Sequence, residues 1–266
     1  MRPKLFLFIC VAGVALAARV TSGVEPEGSL PPVDLILRRV AERAEKEDEN
    51  DQAFNQTYSY TRTRTTEIRN AKGELKKTES KVSVHEPRMA GPPTSQVRPP
   101  ARMHSPKDTA ESSRGSDSDS RMRGRVFDRR ALKLDAELLD RFLFSVVGKD
   151  TVNGRATFVL EFRPKPGKLP ERSFRDKFIN KAAGRAWVDT EDYAVVKAEL
   201  YLTDTVEVVA GLAGAVWEFQ YMFERERTPE GLWFTRRVRW HLEGREVLVR
   251  RIVDYFEERT NVCKVE

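Results

Sequence analysis

The stretch that decides the fold of this chain is FSVVGKDTVNGRATFVLEFRPKPGKLPERSFRDKFINKAAGRAWVDTEDYAVVKAELYL, residues 144–202. Two apolar runs, Phe144–Val147 and Ala156–Phe162, flank Asn153–Gly154, a dipeptide that supplies the positive φ angles of a type I′ hairpin turn. A second pair of runs, Gly184–Asp189 and Tyr193–Leu202, flanks an acidic turn. Apolar and polar side chains alternate with period two, which is typical of strands with one buried face. The stretch therefore predicts an antiparallel meander, and it matches no catalytic motif.

The rest of the chain also predicts strands joined by short turns. The further strand candidates are Tyr58–Ile68, Glu74–Val84, Val206–Val209, Ala215–Glu226, Leu232–Leu242 and Glu246–Glu258. Helices do not alternate with these strands, so the sheet should be antiparallel. We predict a mainly β (α+β) fold in which about ten strands form a large curved antiparallel sheet or incomplete β-barrel.

Two helices are predicted beside the sheet. In Asp34–Glu49 the apolar residues recur at helical spacing opposite a charged face, which predicts an amphipathic helix packed on the sheet. This stripe consists of Leu37, Val40, Ala41 and Ala44. A second, short helix is predicted from Asp135 in the sequence DAELLDRFLF.

The N-terminus predicts a secretory signal peptide over residues 1–17. Arg2 and Lys4 precede the apolar run Leu5–Ala17, which ends in an A-x-A cleavage site and is too short to span a membrane comfortably. Cleavage leaves 266 − 17 = 249 residues that begin at Ala18, with a net charge of 45 − 41 = +4. So mild a charge gives little reason to expect nucleic-acid binding. Cys263 then has no internal partner.

The mature chain divides by composition into a linker, one domain and a tail. Residues 18–32 form the linker, residues 33–258 the domain, and residues 259–266 the tail. Within the domain, residues 87–124 are rich in Pro, Ser and Arg and nearly lack large apolar side chains. Such a segment cannot bury enough surface to offset its ordering entropy, so we predict a flexible insertion.

Motifs for catalysis or metal binding are missing from the sequence. The three histidines, His85, His104 and His241, are scattered, and no nucleophile elbow or P-loop occurs. The acidic turn Asp189–Asp192 is interpreted as a solvated hairpin turn, with a weak calcium site as the alternative. Glu161 and Glu199 are interpreted as surface partners of arginines rather than as an acid/base pair. We therefore expect a protein that is not an enzyme and uses no metal or cofactor.

Aromatic residues along one predicted strand are the candidate functional feature. Trp217, Phe219, Tyr221 and Phe223 alternate, so they are expected on one face. They either pack as core against the amphipathic helix or form the wall of an apolar cavity, and both roles can occur on the same face. The ligand-cavity candidates are Trp217, Phe219, Tyr221, Phe223, Phe158, Leu160, Phe162 and Trp240.

Three motifs carry a resemblance to a known family. They are the hairpin G-x-x-x-x-NGR at 148–155, the strand GR-x-W-VD at 184–189, and the strand start G-x-W at 231–233. With the N-terminal helix they resemble the bacterial outer-membrane lipoprotein-sorting group. This group comprises LolA/LolB-like proteins and the lipid-binding domain of RseB/MucB regulators, and the chain is similar to a secreted branch of it. The resemblance covers residues 33–84 and 134–258 and implies an incomplete antiparallel barrel with helices on its concave side.

The resemblance also implies a function, because members of known role bind acyl chains of lipoproteins. The carriers' functional arginine matches no single position here. The first hypothesis is a secreted, periplasmic carrier for an acyl chain or other hydrophobic ligand. The second is a cell-envelope interaction or sensor module with a filled core and a protein partner. A hydrolase is the third and weakest hypothesis, since no nucleophile–base pair is visible.

Overall fold

The computed structural model describes residues 30–87, 136–208, 214–246 and 249–265. The predicted signal peptide (1–17) lies outside these ranges, as does the predicted insertion apart from Pro87. Within the described residues, no helix has the length and apolar composition needed to cross a membrane.

Four helices lie within the described residues. They are α1 (Val33–Ala44), α2 (Glu47–Thr57), α3 (Ala136–Asp140) and α4 (Phe174–Ile179). Asp34 in the first turn of α1 and Arg43 in its last turn both complement the helix dipole. Ser173 caps α4, because its hydroxyl accepts a hydrogen bond from the backbone N–H of Asp176 at 3.1 Å.

Ten strands make up most of the described residues. They are β1 (Tyr58–Arg69), β2 (Leu75–His85), β3 (Phe142–Val152), β4 (Arg155–Pro164), β5 (Ala182–Asp189), β6 (Val195–Leu202), β7 (Val206–Val208), β8 (Gly214–Arg227), β9 (Trp233–Glu246) and β10 (Val249–Lys264). At the tight turn between β3 and β4, Asn153 and Gly154 have φ angles of 50° and 77°, as the Asn-Gly dipeptide predicts.

All ten strands belong to one antiparallel sheet. The order is β2-β1-β10-β9-β8-β6-β5-β4-β3, and β7 pairs with β8. The edge strands β2 and β3 do not pair with each other, so the sheet stays open. The predicted mainly β fold, with about ten antiparallel strands in an unclosed sheet, is confirmed.

Three helices pack on one side of the sheet, which we call the helix face. Ile36 and Val40 of α1 contact Phe158 and Leu160 of β4. Leu138 of α3 and Ile179 of α4 form a second cluster beside them. Helix α2 closes the end of the sheet near the start of β1, where Phe54 stacks with Tyr58 at a ring distance of 5.3 Å. Burial of these apolar side chains is the main term that holds the helices to the sheet.

The N-terminal helical region differs from its prediction. Instead of one helix over Asp34–Glu49, two helices meet at Glu45–Lys46, and α2 continues to Thr57. The sequence of α2, EDENDQAFNQT, is rich in residues of weak helix propensity and offers Phe54 as its large apolar anchor. Its helical state therefore depends on contacts with the sheet, which a local pattern does not reveal.

The observed boundaries of helices and strands differ from the predicted ones in three other places. Helix α3 ends at Asp140, because Phe142 and Phe144 already alternate in β3. Residues 243–245, which lie between two predicted strands, belong to a strand themselves, since β9 continues to Glu246. Residues 259–264, predicted as a tail, extend β10 to Lys264, whose partner is Tyr58. Pairing with β1 supplies the ladder hydrogen bonds that hold this end.

Candidate functional site

The three motifs of the sequence meet at one end of the sheet. Arg155 of the NGR hairpin donates from Nε to Asp189 Oδ2 at 2.6 Å and from Nη2 to Oδ1 at 3.0 Å. The indole Nε1 of Trp233 donates to Asp192 Oδ2 at 2.8 Å. The Arg155 guanidinium lies 5.8 Å from the Trp233 ring. We call Arg155, Asp189, Asp192, Arg225 and Trp233 the turn cluster.

Asp189 is the most constrained member of the turn cluster. Its side chain is fully buried, and the backbone N–H groups of Glu191 and Asp192 donate to Oδ1 at 2.9 and 3.1 Å. Burial raises the pKa of this carboxyl, but the hydrogen bonds from Arg155 and from the backbone outweigh it and hold the pKa below its usual value. The interpretation of this turn as a solvated acidic loop is therefore wrong for Asp189.

Arg225 joins the turn cluster to α2. Its Nη1 and Nη2 donate to Glu47 Oε1 and Oε2 at 3.0 and 2.7 Å. Asn50 of the same helix accepts from the Trp233 backbone N–H at 2.9 Å and donates to its carbonyl at 2.7 Å. The amide of Asn153 donates to the Arg225 carbonyl at 3.0 Å. These contacts connect α2, the hairpins and the sheet, so the motifs that carry the resemblance hold parts of the fold together.

A row of apolar side chains crosses the middle of the helix face. The strand register places Leu200 of β6, Tyr221 of β8, Trp240 of β9 and Tyr255 of β10 directly opposite one another. The rings of Trp240 and Tyr255 stack at 5.1 Å with an interplanar angle of 11°. All four side chains are half-buried. We call them the aromatic row.

Helix α4 covers one side of the aromatic row. Phe178 packs edge-on against Phe219 at a ring distance of 4.8 Å, and Phe219 is 1% exposed. The Phe219 ring lies 6.4 Å from both Tyr221 and Trp240. The Phe219 side chain under α4 is therefore buried, whereas the rings of Trp240 and Tyr255 are partly exposed.

The eight ligand-cavity candidates separate into groups. Phe158 and Leu160 lie in the core under α1. Phe162 packs beside Leu138 of α3, away from the aromatic row. Tyr221 and Trp240 belong to the row, and two others flank it: Phe219, which is buried, and Phe223, which is half-buried. Whether any of them contacts a ligand stays a prediction.

Trp217 does not share the face of the other aromatic residues, so this part of the prediction was wrong. The pairing of β8 with β9 shifts between Val216 and Glu218, which makes Trp217 the extra residue of a β-bulge. Val216 occupies the helix face in its place. Trp217 is 37% exposed and donates from Nε1 to Glu243 Oε2 at 3.4 Å on the opposite face, which we call the outer face.

An arginine cluster extends the aromatic row, and the sequence analysis missed it. Arg62 and Arg64 of β1 and Arg259 of β10 surround Glu257, which is 7% exposed. Threonines and arginines alternate along β1, a pattern that is typical of a strand with one solvated face. Period two nevertheless places Arg62 and Arg64 on the face of Tyr60, which is buried. The two-residue spacing from Tyr60 to Arg62 and Arg64 is the sequence signal that indicates this cluster.

Surface ion pairs account for the two glutamates considered as an acid/base pair. Arg185 lies between them in the register and donates to Glu161 Oε1 at 2.9 and 2.6 Å. Glu199 forms an ion pair with Lys197 at 2.7 Å. Their interpretation as surface charge pairs is consistent with these contacts.

One group within the described ranges has metal-like spacing. Ligand atoms of Glu218, His241 and Glu243 on the outer face lie within 4.8 Å of one another. His241 Nδ1 is 2.6 Å from Asp254 Oδ1, and Glu243 accepts a hydrogen bond from Arg250 at 2.6 Å. The arginine and the exposure of Glu218 favour an ion-pair network here. The three residues come together because β8 pairs with β9 in this register, and no sequence motif links them.

Solved structures similar to this chain include a DUF1329 family protein, a LolA-superfamily protein and MucB. A DUF1329 family protein from Desulfovibrio piger is 14% identical with a TM-score of 0.32, and the match covers 86% of this chain and 92% of that one. A LolA-superfamily protein from Nitrosomonas europaea is 14% identical with a TM-score of 0.30, covering 86% and 93%. MucB from the Pseudomonas aeruginosa MucA/MucB complex is 10% identical with a TM-score of 0.24, covering 83% and 95%.

Two of these neighbours, the LolA-superfamily protein and MucB, bear names from the group that the three sequence motifs resemble. No protein-family model matches the chain, and no curated protein aligns with it. At such TM-scores the neighbours are too distant to place a ligand or a partner on this chain, so its own side chains have to carry any functional assignment.

Proposed function

We propose that this protein is a non-catalytic binding or carrier protein for an acyl chain or another hydrophobic ligand. The ligand lies on the helix face along the aromatic row. The single observation that carries the proposal is that Tyr221, Trp240 and Tyr255 are in direct register yet remain half-buried. Contiguous apolar side chains that a fold leaves partly exposed are typical of binding surfaces.

The part of the ligand that lies along the row is proposed to be apolar, because the polar side chains of the turn cluster and Glu161 have partners elsewhere. Asp189, Arg155 and Trp233 hold the turn cluster, and Glu161 is paired with Arg185. The row itself presents aromatic rings and the Leu200 side chain, which favour an extended hydrocarbon chain.

The proposed place of action is the periplasm or another compartment reached by secretion. The predicted signal peptide supports this assignment. N-terminal sequencing of the exported protein should begin at Ala18. An exported form that retains Met1 would contradict it.

Binding is tested with the methyl ester of a fluorescent fatty acid, which is an uncharged acyl probe. The purified protein should bind it, and Trp240→Ala should raise its Kd about tenfold or more. The removed indole offers an area whose burial contributes on the order of 1.5–3 kcal/mol. Fluorescence titration at constant protein concentration measures both Kd values.

Trp217→Ala is the matched control. It removes the same side chain from the outer face, where Trp217 lies against Glu243. It should leave the Kd of the ester within about twofold, because no ligand contact is lost there. An ester that does not bind the parent protein, or equal losses in both variants, would contradict the proposed function.

A protein partner is the second candidate function, and one observation favours it. Strand β2 is an edge of the sheet, and its Val82 and Val84 side chains are 62% and 66% exposed. An edge strand with exposed apolar side chains can accept an added strand from another protein. If the ester does not bind, cross-linking from the cysteine of a Val84→Cys variant is the next experiment. A variant that captures no partner at this position would reject this candidate.

A further inference from the structure

The arginine cluster presents more positive than negative charge on the helix face. Arg64 of β1 lies directly opposite Glu257 of β10 in the register, and Arg62 lies opposite Arg259. Three guanidinium groups thus surround one carboxylate. On the other side of β1, Lys81 of β2 is the register partner of Arg64 and adds a further positive charge.

Glu257 accepts hydrogen bonds from two of its neighbours. Arg62 donates from Nε to Oε1 at 2.8 Å and from Nη2 to Oε2 at 2.6 Å. The Tyr255 hydroxyl donates to Oε2 at 2.6 Å. Burial raises the pKa of Glu257, but the hydrogen bonds from Arg62 and Tyr255 outweigh it and keep the carboxyl ionised. Glu257 therefore neutralises Arg62.

Arg64 is left without an anionic partner in the described part of the chain. Its Nε is buried and has no hydrogen-bond partner. No carboxylate among the described residues forms an ion pair with it. A buried donor without an acceptor destabilises the folded state, and a guanidinium offers a planar fork that matches a carboxylate or phosphate. The position is therefore suited to an external anion.

The arginine cluster is continuous with the aromatic row. Tyr255 stacks on Trp240 and donates to Glu257, so the same residue ends the row and begins the cluster. Leu200 of β6 and Arg64 of β1 are four strand spacings apart in the sheet order, about 19 Å at the usual spacing. A ligand along the row would therefore reach from an apolar end at Leu200 to a cationic end at Arg64.

We propose that the ligand is an anionic amphiphile, whose carboxylate or phosphate headgroup binds Arg64 while its acyl chain lies along the aromatic row. This inference rests on the proposed function and specifies the class of ligand. The headgroup completes the hydrogen bonding of Arg64. Arg259 lies beside this position, with its guanidinium 4.9 Å from the Tyr60 ring centroid.

The test compares a fluorescent fatty acid with its methyl ester, which differ in one negative charge. The parent protein should bind the acid about tenfold or more tightly than the ester, since a hydrogen bond to a charged group contributes at least that factor. Arg64→Met keeps the apolar stem and removes the charge. In this variant the acid should bind as weakly as the ester, while the ester Kd stays within about twofold.

Arg239→Met is the matched control, because Arg239 neighbours Trp240 on the same strand but lies on the outer face against Phe256. It removes the same charge and should preserve the preference for the acid. Circular dichroism and thermal melting establish that both variants fold. The comparison of acid and ester on the parent protein needs no variant.

The outcomes separate this inference from the proposed function. Equal binding of acid and ester by the parent protein, or an acid preference that survives Arg64→Met, would overturn the inference and leave the proposed function standing. Failure of the ester to bind would overturn both. A displacement experiment then compares the two anionic headgroups. The bound ester is displaced by lysophosphatidic acid, which carries a phosphate, by a fatty acid, which carries a carboxylate, and by the neutral monoacylglycerol. If neither of the two charged lipids displaces the ester better than monoacylglycerol, the inference is wrong.

Discussion

Replacing Asp189 by Ala is expected to lower the free energy of unfolding by about 3–5 kcal/mol, as for other buried ion pairs that lose one partner. Asp189 is fully buried and holds Arg155 through two hydrogen bonds. Its removal leaves the Arg155 guanidinium against the Trp233 ring without its main counter-charge. Urea unfolding of parent and variant at pH 7 measures the difference.

The difference in the free energy of unfolding between the parent protein and Asp189→Ala should also depend on pH. The folded pKa of Asp189 lies below its ordinary value. The ionised carboxylate therefore stabilises the folded state, and this stabilisation is complete at pH values above the unfolded-state pKa of about 3.9. This contribution is lost as the pH falls through the lower, folded pKa. The difference between parent and Asp189→Ala should thus be constant from pH 7 to about pH 5 and shrink at more acidic pH.

Asp140→Ala is the control for both measurements. Asp140 also pairs with a cation, Lys165 at 2.6 Å, but its side chain is 85% exposed. Water screens this pair, so its loss should change stability little. Equal losses in the two aspartate variants would show that the turn cluster does not stabilise the fold as proposed.

Local chemistry made most of the sheet predictable. Asn153–Gly154 specifies its own turn through positive φ angles, whatever the rest of the chain does. The function of the motifs around it was not predictable in the same way. Arg155 meets Asp189 across 34 residues, and Arg225 meets Glu47 across 178. Such pairs depend on the final strand order, which a single sequence does not specify.

The candidate site was predictable only in part, for two physical reasons. Alternation assigns faces correctly until a bulge inserts one residue, and this moved Trp217 to the outer face. Alternation also does not say which face of a charged strand meets the core. Arg62 and Arg64 therefore read as solvent-facing, although pairing with β10 places them beside Tyr255 and buried Glu257.

Phe219→Ala is expected to lower the free energy of unfolding by about 3–5 kcal/mol, the usual loss for a large aromatic in a packed core. Phe219 is 1% exposed and contacts Phe178 of α4 edge-on. Tyr221→Ala, two residues along the same strand, should lower it clearly less, because the Tyr221 ring is half-buried and has fewer contacts to lose. Urea unfolding of both variants compares them under one condition.

The pair of variants also distinguishes a binding surface from a filled core. On a binding surface, Tyr221→Ala should weaken binding of the ester probe while most of the stability remains. A loss of stability at Tyr221 as large as that at Phe219, in a protein that does not bind the ester, would instead indicate a filled core. That result would favour the envelope module with a protein partner, because the same rings would then serve packing alone.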